Sequence, residues 1–333
     1  MKALVLFFRN SLPFTFAVIL AICVSFWVIE FFTFGQTSTP AVFNQHSLLF
    51  PSVANVFGGA PLLMWLAGAI FFIVFALLVL NLNSKCIFIQ ERTFMPVLFL
   101  GLLVGFPDSG LVLTPVALFS LLFVFALNRI FSSYRKDQAL SNFFEASFFI
   151  GVGSFFWLPG IIFILVVFAG LAVFRQFNWR EWVVSVFGFL APFVFFEFYQ
   201  LFFNDRSWVL ADAILLAFRT TGPYVGTLSK FNLIFIVYVG FLVFLGSLKI
   251  LQHYNSFKIH SRKIFIVFFW TFICALFGFW FLRGITYEII FIGAAPASFL
   301  LTYFFSVDNK PSRFQALLFV LFILMAFLQL FLN

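Results

Sequence analysis

The chain has 333 residues, of which 64% are hydrophobic and only 9% charged, with a mean hydropathy of +1.15. An average soluble chain is about a quarter charged, so these ionic side chains are too few to cover a globule in water, and a soluble domain, a disordered chain, collagen and a coiled coil are all excluded. The net charge of +8 is scattered as single cations with no long basic run, which excludes a nucleic-acid surface.

A helix needs about 20 apolar residues to cross roughly 30 Å of hydrocarbon, and it must pair its own backbone groups there. That ruler predicts spans at residues 11–34 and 60–82. A tight pair follows at 94–106 and 111–130, turning at Pro107, Asp108, Ser109 and Gly110. The first of this pair is short, so it either takes length from residues 86–90 or sits tilted and buried among neighbours. Asp108 reads as a turn former. A second pair, 139–158 and 160–174, turns at Leu158, Pro159 and Gly160, and 182–203 is the seventh span. Four more follow at 231–251, 264–282, 287–305 and 314–332. The expected fold is therefore all-α: one integral membrane domain over residues 1–333, a polytopic bundle of about eleven spans. Cys23, Cys86 and Cys274 are far apart, without CxxC or Cys/His spacing, and read as small apolar fillers.

Orientation follows from where Lys and Arg fall. With the N-terminus in the cytoplasm, fifteen cations lie on the inner side, and only Arg206, Arg219, Lys230 and Arg283 lie outside. One missed or invented span would invert every later loop, so this asymmetry tests the whole series at once. Lys2 and Arg9 precede an apolar stretch too long for a signal peptide and lacking a clear cleavage site; it reads as a retained anchor. The segment Phe177, Asn178, Trp179, Arg180, Glu181, Trp182 suits the inner headgroup layer as an aromatic belt. His253 and His260 fall in the inner loop 252–263, where solvated histidines are expected.

With no soluble domain, any site has to be built from loops and helix ends at one face. Two outer segments are long enough. The first, 35–59, carries Asn44, Gln45 and His46. The second, 204–230, carries Asp205, Arg206, Asp212, Arg219, Tyr224 and Lys230 around an amphipathic run at 208–218 that should lie flat on the interface. Ionic groups near hydrocarbon each cost about 2.5–3.5 kcal/mol on insertion scales and tend to face the bundle interior or a wet cavity. Glu30 and Glu197 both fall in the outward third of their spans, and Arg283 and Glu288 bracket the outer turn before Tyr287. A shared outward cavity would gather Glu30, Glu197, Arg283 and Glu288. Glu145 reads as an inner surface residue. His46 lacks a second histidine at metal-binding spacing, and no hydrolase elbow, dinucleotide fingerprint or phosphate loop is present.

The order of parts also resembles a known arrangement. Asn128, Arg129 and Ile130 end a span; a polar link leads to a hairpin turning at Trp157, Leu158 and Pro159. Arg175, the FNWREW segment and a span holding Pro192 come next, then an outer loop opening with Asn204 and Asp205; later Arg283 and Tyr287 open a span with Pro296 inside. Over roughly residues 94–305 this resembles the membrane domain of GT-C type glycosyltransferases, which take a sugar from a polyprenyl-phosphate carrier on the outer face. The phenylalanine excess and FNWREW also resemble a family of multi-pass inner-membrane proteins of Bacteroidota, which implies a compartment and a lineage but no activity.

By the GT-C resemblance, Arg283 stands where a guanidinium would face the carrier phosphate. The first outer loop should open with an acid that activates the acceptor or holds a divalent metal, yet 35–59 contains no Asp or Glu, and Glu30 is the nearest. No cofactor is otherwise implied. Three functions are then in play. In the first, a transferase or handler of lipid-linked sugar, Arg283 with Arg219, Lys230, Tyr287, Glu288 and His46 forms the binding face and Glu30 or Glu197 acts as base. The second is a non-catalytic subunit or scaffold partnered by another membrane protein. The third, a transporter, ranks last for want of internal repeats.

Overall fold

The computed structural model describes residues 2–34, 47–56, 61–86, 93–105, 113–204, 208–219, 230–281, 289–308 and 311–332. Every regular element among them is helical. The order is α1 (Lys2–Arg9), α2 (Pro13–Phe34), α3 (Phe50–Val56), α4 (Pro61–Cys86), α5 (Met95–Val104), α6 (Pro115–Phe131) and α7 (Leu140–Phe156). After a 3-10 turn (Leu158–Phe163) come α8 (Ile164–Phe174), α9 (Trp179–Asn204), α10 (Val209–Arg219), α11 (Lys230–Gln252), α12 (Ile259–Phe281), α13 (Ile290–Ser306) and α14 (Arg313–Leu332). Each of the eleven predicted apolar stretches coincides with one of these helices to within about five residues at either end.

Four helices are long and apolar enough to cross a membrane: Leu62–Asn83, Trp179–Asn204, Leu233–Gln252 and Ile259–Gly278. Lys2–Arg9 and Pro13–Ile29 make a fifth if the pair, bent by 105°, is taken as one span. The other predicted stretches form apolar helices of 10–17 residues. α1 and α10 are the amphipathic exceptions to an otherwise uniform greasiness; α1 buries Val5 and Phe8.

The centre belongs to the shortest of the apolar helices, α5. Every residue of α5 is buried, and it packs on α13, which is buried everywhere except Ile290 and Gly293. Burial among neighbours, one of the two arrangements expected for this short stretch, is thus what the structure has. α2 and α4 pack on α5, while α6, α11 and α12 pack on α13. Phe99 of α5 stacks on Phe305 of α13 with centroids 5.6 Å apart, and Phe268 of α12 stacks on Phe299 at the same distance. The phenylalanines therefore fill helix seams as well as face outward.

α9 is peripheral, joined to α7 by an unusually close seam. A Cβ on Gly188 would lie 2.5 Å from the Phe144 carbonyl oxygen, and one on Gly151 2.7 Å from that of Phe189. Only hydrogen fits where two backbones approach so nearly.

Contacts between distant loops sort onto two ends of the bundle. At one end, Arg9 Nη1 donates to the Asp308 carbonyl (2.7 Å), Asn142 Nδ2 to the Arg129 carbonyl (3.0 Å), and Arg175 Nη2 to the Asp137 carbonyl (3.0 Å). At the other, the amides of Leu48 and Leu49 donate to the Phe155 carbonyl at 2.9 and 3.1 Å, and α10 returns to the end of α9. The first group joins only segments predicted to be inner, and the second only outer ones. We call these the basic end and the opposite end.

Candidate functional site

Of the predicted site side chains, Glu197 is the best placed in the structure. Trp208, with φ of 67°, turns the chain sharply after α9, and α10 folds back beneath. The Leu210 amide, in the first turn of α10, donates to Glu197 Oε1 at 2.6 Å. A carboxylate there satisfies one of the helix's unpaired amides and lies at the positive end of its dipole. Glu197 is thus a cap supplied from another helix. It also closes one end of an apolar groove of about 610 Å³ between α9 and α10, walled by Phe193, Phe198, Leu201, Trp208 and Ile214.

Of the other predicted site residues, only Lys230 has a described side chain. Lys230 is exposed on the first residue of α11. Arg219 ends α10 and Glu30 sits in the last turns of α2, but their side chains lie outside the described residues, as do His46, Arg283, Tyr287 and Glu288 altogether. Asp108 lies outside them as well. Among the described residues no three His, Cys, Asp or Glu side chains gather to hold a metal ion.

A second cavity, of about 300 Å³, opens between α11 and α12 over α13. Small residues make it: Gly240 on α11, Ala275 on α12, and Gly293, Ala294 and Ala297 on α13. A Cβ on Gly240 would meet nothing within 4 Å, and one on Gly293 only the Phe272 ring at 3.9 Å. These glycines border open space rather than a tight seam. Ile289 bounds the cavity toward the opposite end, and the chain just before it carries Arg283, Tyr287 and Glu288.

The polar structure that sequence reading missed is at the basic end. Glu181, expected in the headgroup belt, is 1% exposed. Arg175 holds it with Nη2 at 2.8 Å and Nε at 3.1–3.2 Å, while the same guanidinium ties down the Lys136 and Asp137 carbonyls. Trp179, by contrast, is exposed. The failure of the belt expectation for Glu181 has a plain cause: α9 begins three residues earlier than the predicted span, which turns the acid inward. An acid six residues from a lone arginine was the available signal.

His260 also departs from expectation. It is half-buried and stacked on Tyr134 at 4.4 Å, with Nε2 sealed from water and unpaired; His253 is exposed as expected. Glu145 does lie at the surface, 2.7 Å from Arg129. A third knot joins α11 and α14 to the end of α13: Asp308 Oδ2 accepts from Lys249 Nζ and, at 2.8 Å, from Gln315 Nε2. Gln315 and Ser312 also cap α14 reciprocally, a box legible as Ser-x-x-Gln.

No protein-family model, curated protein or solved structure matches the chain. Its function has to be argued from these sites.

Proposed function

We propose that the chain is an inner-membrane protein that crosses the bilayer about eleven times with its basic end in the cytoplasm, and that it handles a polyprenyl-phosphate-linked sugar at the opposite face. The cavity between α11 and α12 carries this reading. It is apolar, lies among helices long enough to cross a membrane, and is floored by glycine and alanine, which suits one branched hydrocarbon chain. Its far boundary, Ile289, immediately follows the segment with Arg283, whose paired donors suit a phosphate. Tyr287, Glu288, Arg219 and Lys230 would complete the polar rim.

Replacing Gly240 with Leu fills the cavity without meeting a neighbour at Cβ, so it tests occupancy rather than folding. The full chain, purified in mild detergent, is expected to carry a polyprenyl lipid detectable by mass spectrometry, and Gly240→Leu or Arg283→Ala to reduce it at least about tenfold at unchanged protein yield. Equal polyprenyl content in all three proteins would sink the reading.

A second reading, a non-catalytic subunit, is favoured by the capping role of Glu197: a carboxylate already engaged by an amide makes a poor base. Glu197→Gln separates the two, because a carboxamide oxygen still caps α10 while the base is lost. Unchanged envelope glycosylation in that variant, with Glu30→Gln behaving alike, points to the subunit, whose partner should then co-purify.

A further inference from the structure

By sequence, the segments predicted to be inner hold fifteen cations against five carboxylates, Glu91, Asp137, Glu145, Glu181 and Asp308, and the outer ones four against six. Among the described residues, three of those five acids are taken by Arg129, Arg175 and Lys249. Arg135 and Lys263 are in no ion pair there, yet both converge on one ring. The Arg135 guanidinium lies 5.3 Å from the Tyr134 centroid and Lys263 Nζ 5.7 Å from it. Lys263 also lies 5.9 Å from the Phe174 ring and makes one long contact, 3.4 Å, with the Phe174 carbonyl. His260 stacks on the same tyrosine within electrostatic reach of both charges.

Like charges gathered this way repel unless an anion lies between them. The start of α12 adds to the imbalance. Its first residues include His260, Arg262 and Lys263 and no acid, although the exposed amides and dipole of a helix N-terminus favour negative charge. Arg262 is satisfied locally, by the Phe257 and Asn255 carbonyls at 3.0 and 2.7 Å; Lys263 is not. His260 Nε2 is sealed from water, so His260 backs the Tyr134 ring and leaves an anion to the two cations.

We propose that Arg135 and Lys263, around the Tyr134 ring that His260 backs, bind the phosphate of an anionic phospholipid at the basic end. A lipid rather than free phosphate is favoured by the surroundings. From Ile259 (59% exposed) α12 runs on through Phe269 and Trp270, both exposed, which offers the acyl chains an apolar wall beside the headgroup. The site is remote from the cavity between α11 and α12 and independent of the sugar-carrier reading.

The test uses the full chain in phosphatidylcholine nanodiscs, titrated with phosphatidylglycerol and, separately, with inorganic phosphate, and read by native mass spectrometry and thermal unfolding. Phosphatidylglycerol is expected to bind and raise the unfolding temperature, with phosphate inert at equal concentration. Arg135→Gln with Lys263→Gln should weaken lipid binding by about thirtyfold, while Arg135→Lys with Lys263→Arg restores most of it, so a folding defect cannot mimic the result. Arg180→Gln with Lys258→Gln removes the same charge elsewhere on this end and should leave binding within about twofold. Equal loss in that control, equal binding of phosphatidylcholine, or an equal response to phosphate overturns the proposal.

Discussion

At the scale of single residues, the buried ion pair Arg175–Glu181 dominates. Glu181 is 1% exposed and has its oxygens filled by one guanidinium. Arg175→Ala leaves a carboxylate sealed in apolar surroundings and should lower stability by about 3–5 kcal/mol; Glu181→Gln, which keeps a hydrogen-bonding group of the same shape, should cost clearly less. Thermal unfolding of the two variants in detergent measures the order. Asp308 gives a pH signature. Burial pushes its carboxyl up, but hydrogen bonds from Lys249 and Gln315 and the charges of Lys249 and His253 outweigh that and hold it below the usual carboxylate range. A depressed pKa means that the folded state gives up the proton more readily than the unfolded one. The associated stability is therefore complete above about pH 4 and fades as pH falls through the lowered value. Asp308→Asn should flatten that part of the acid profile, with the effect kept small by the side chain's exposure.

At the scale of elements, the contrast between two kinds of glycine is decisive. Gly188 and Gly151 stand where backbone oxygens come within 2.5 and 2.7 Å of an added Cβ, and backbone cannot step aside. Gly188→Ala should loosen the α7–α9 seam at a cost of about 1–3 kcal/mol, seen as faster hydrogen exchange along α9. Gly240 faces open space, and Gly240→Ala should be tolerated. A sequence shows both merely as glycines in apolar helices. α10 was foreseen as an amphipathic run of nearly the right extent, because helical periodicity is local; its cap, Glu197, lies thirteen residues upstream on another helix and was not foreseen as one.

The whole molecule is organised by charge placement and by a buried centre. If the basic end faces the cytoplasm, a cysteine introduced at Lys258 should react with a membrane-impermeant maleimide only after the cells are opened, and one at Lys230 in intact cells, in a chain with Cys86 replaced. Cys23 and Cys274 are buried and should stay silent. Labelling of both positions from the same side would refute the alternation of spans.

Length and hydropathy determined the helices, their limits to within a few residues and the division of loops between two ends, because these depend on composition over some twenty neighbouring residues and on a count of cations. Tertiary structure alone decided which helices enclose short α5, that Glu181 points inward to Arg175, that Tyr134 collects His260 and two cations, and that Gly240 and Gly293 border a cavity. Those facts depend on which helix faces which. In helices apolar on every side no polar stripe marks the inner face, so packing shape chooses it, and packing shape cannot be read along the chain.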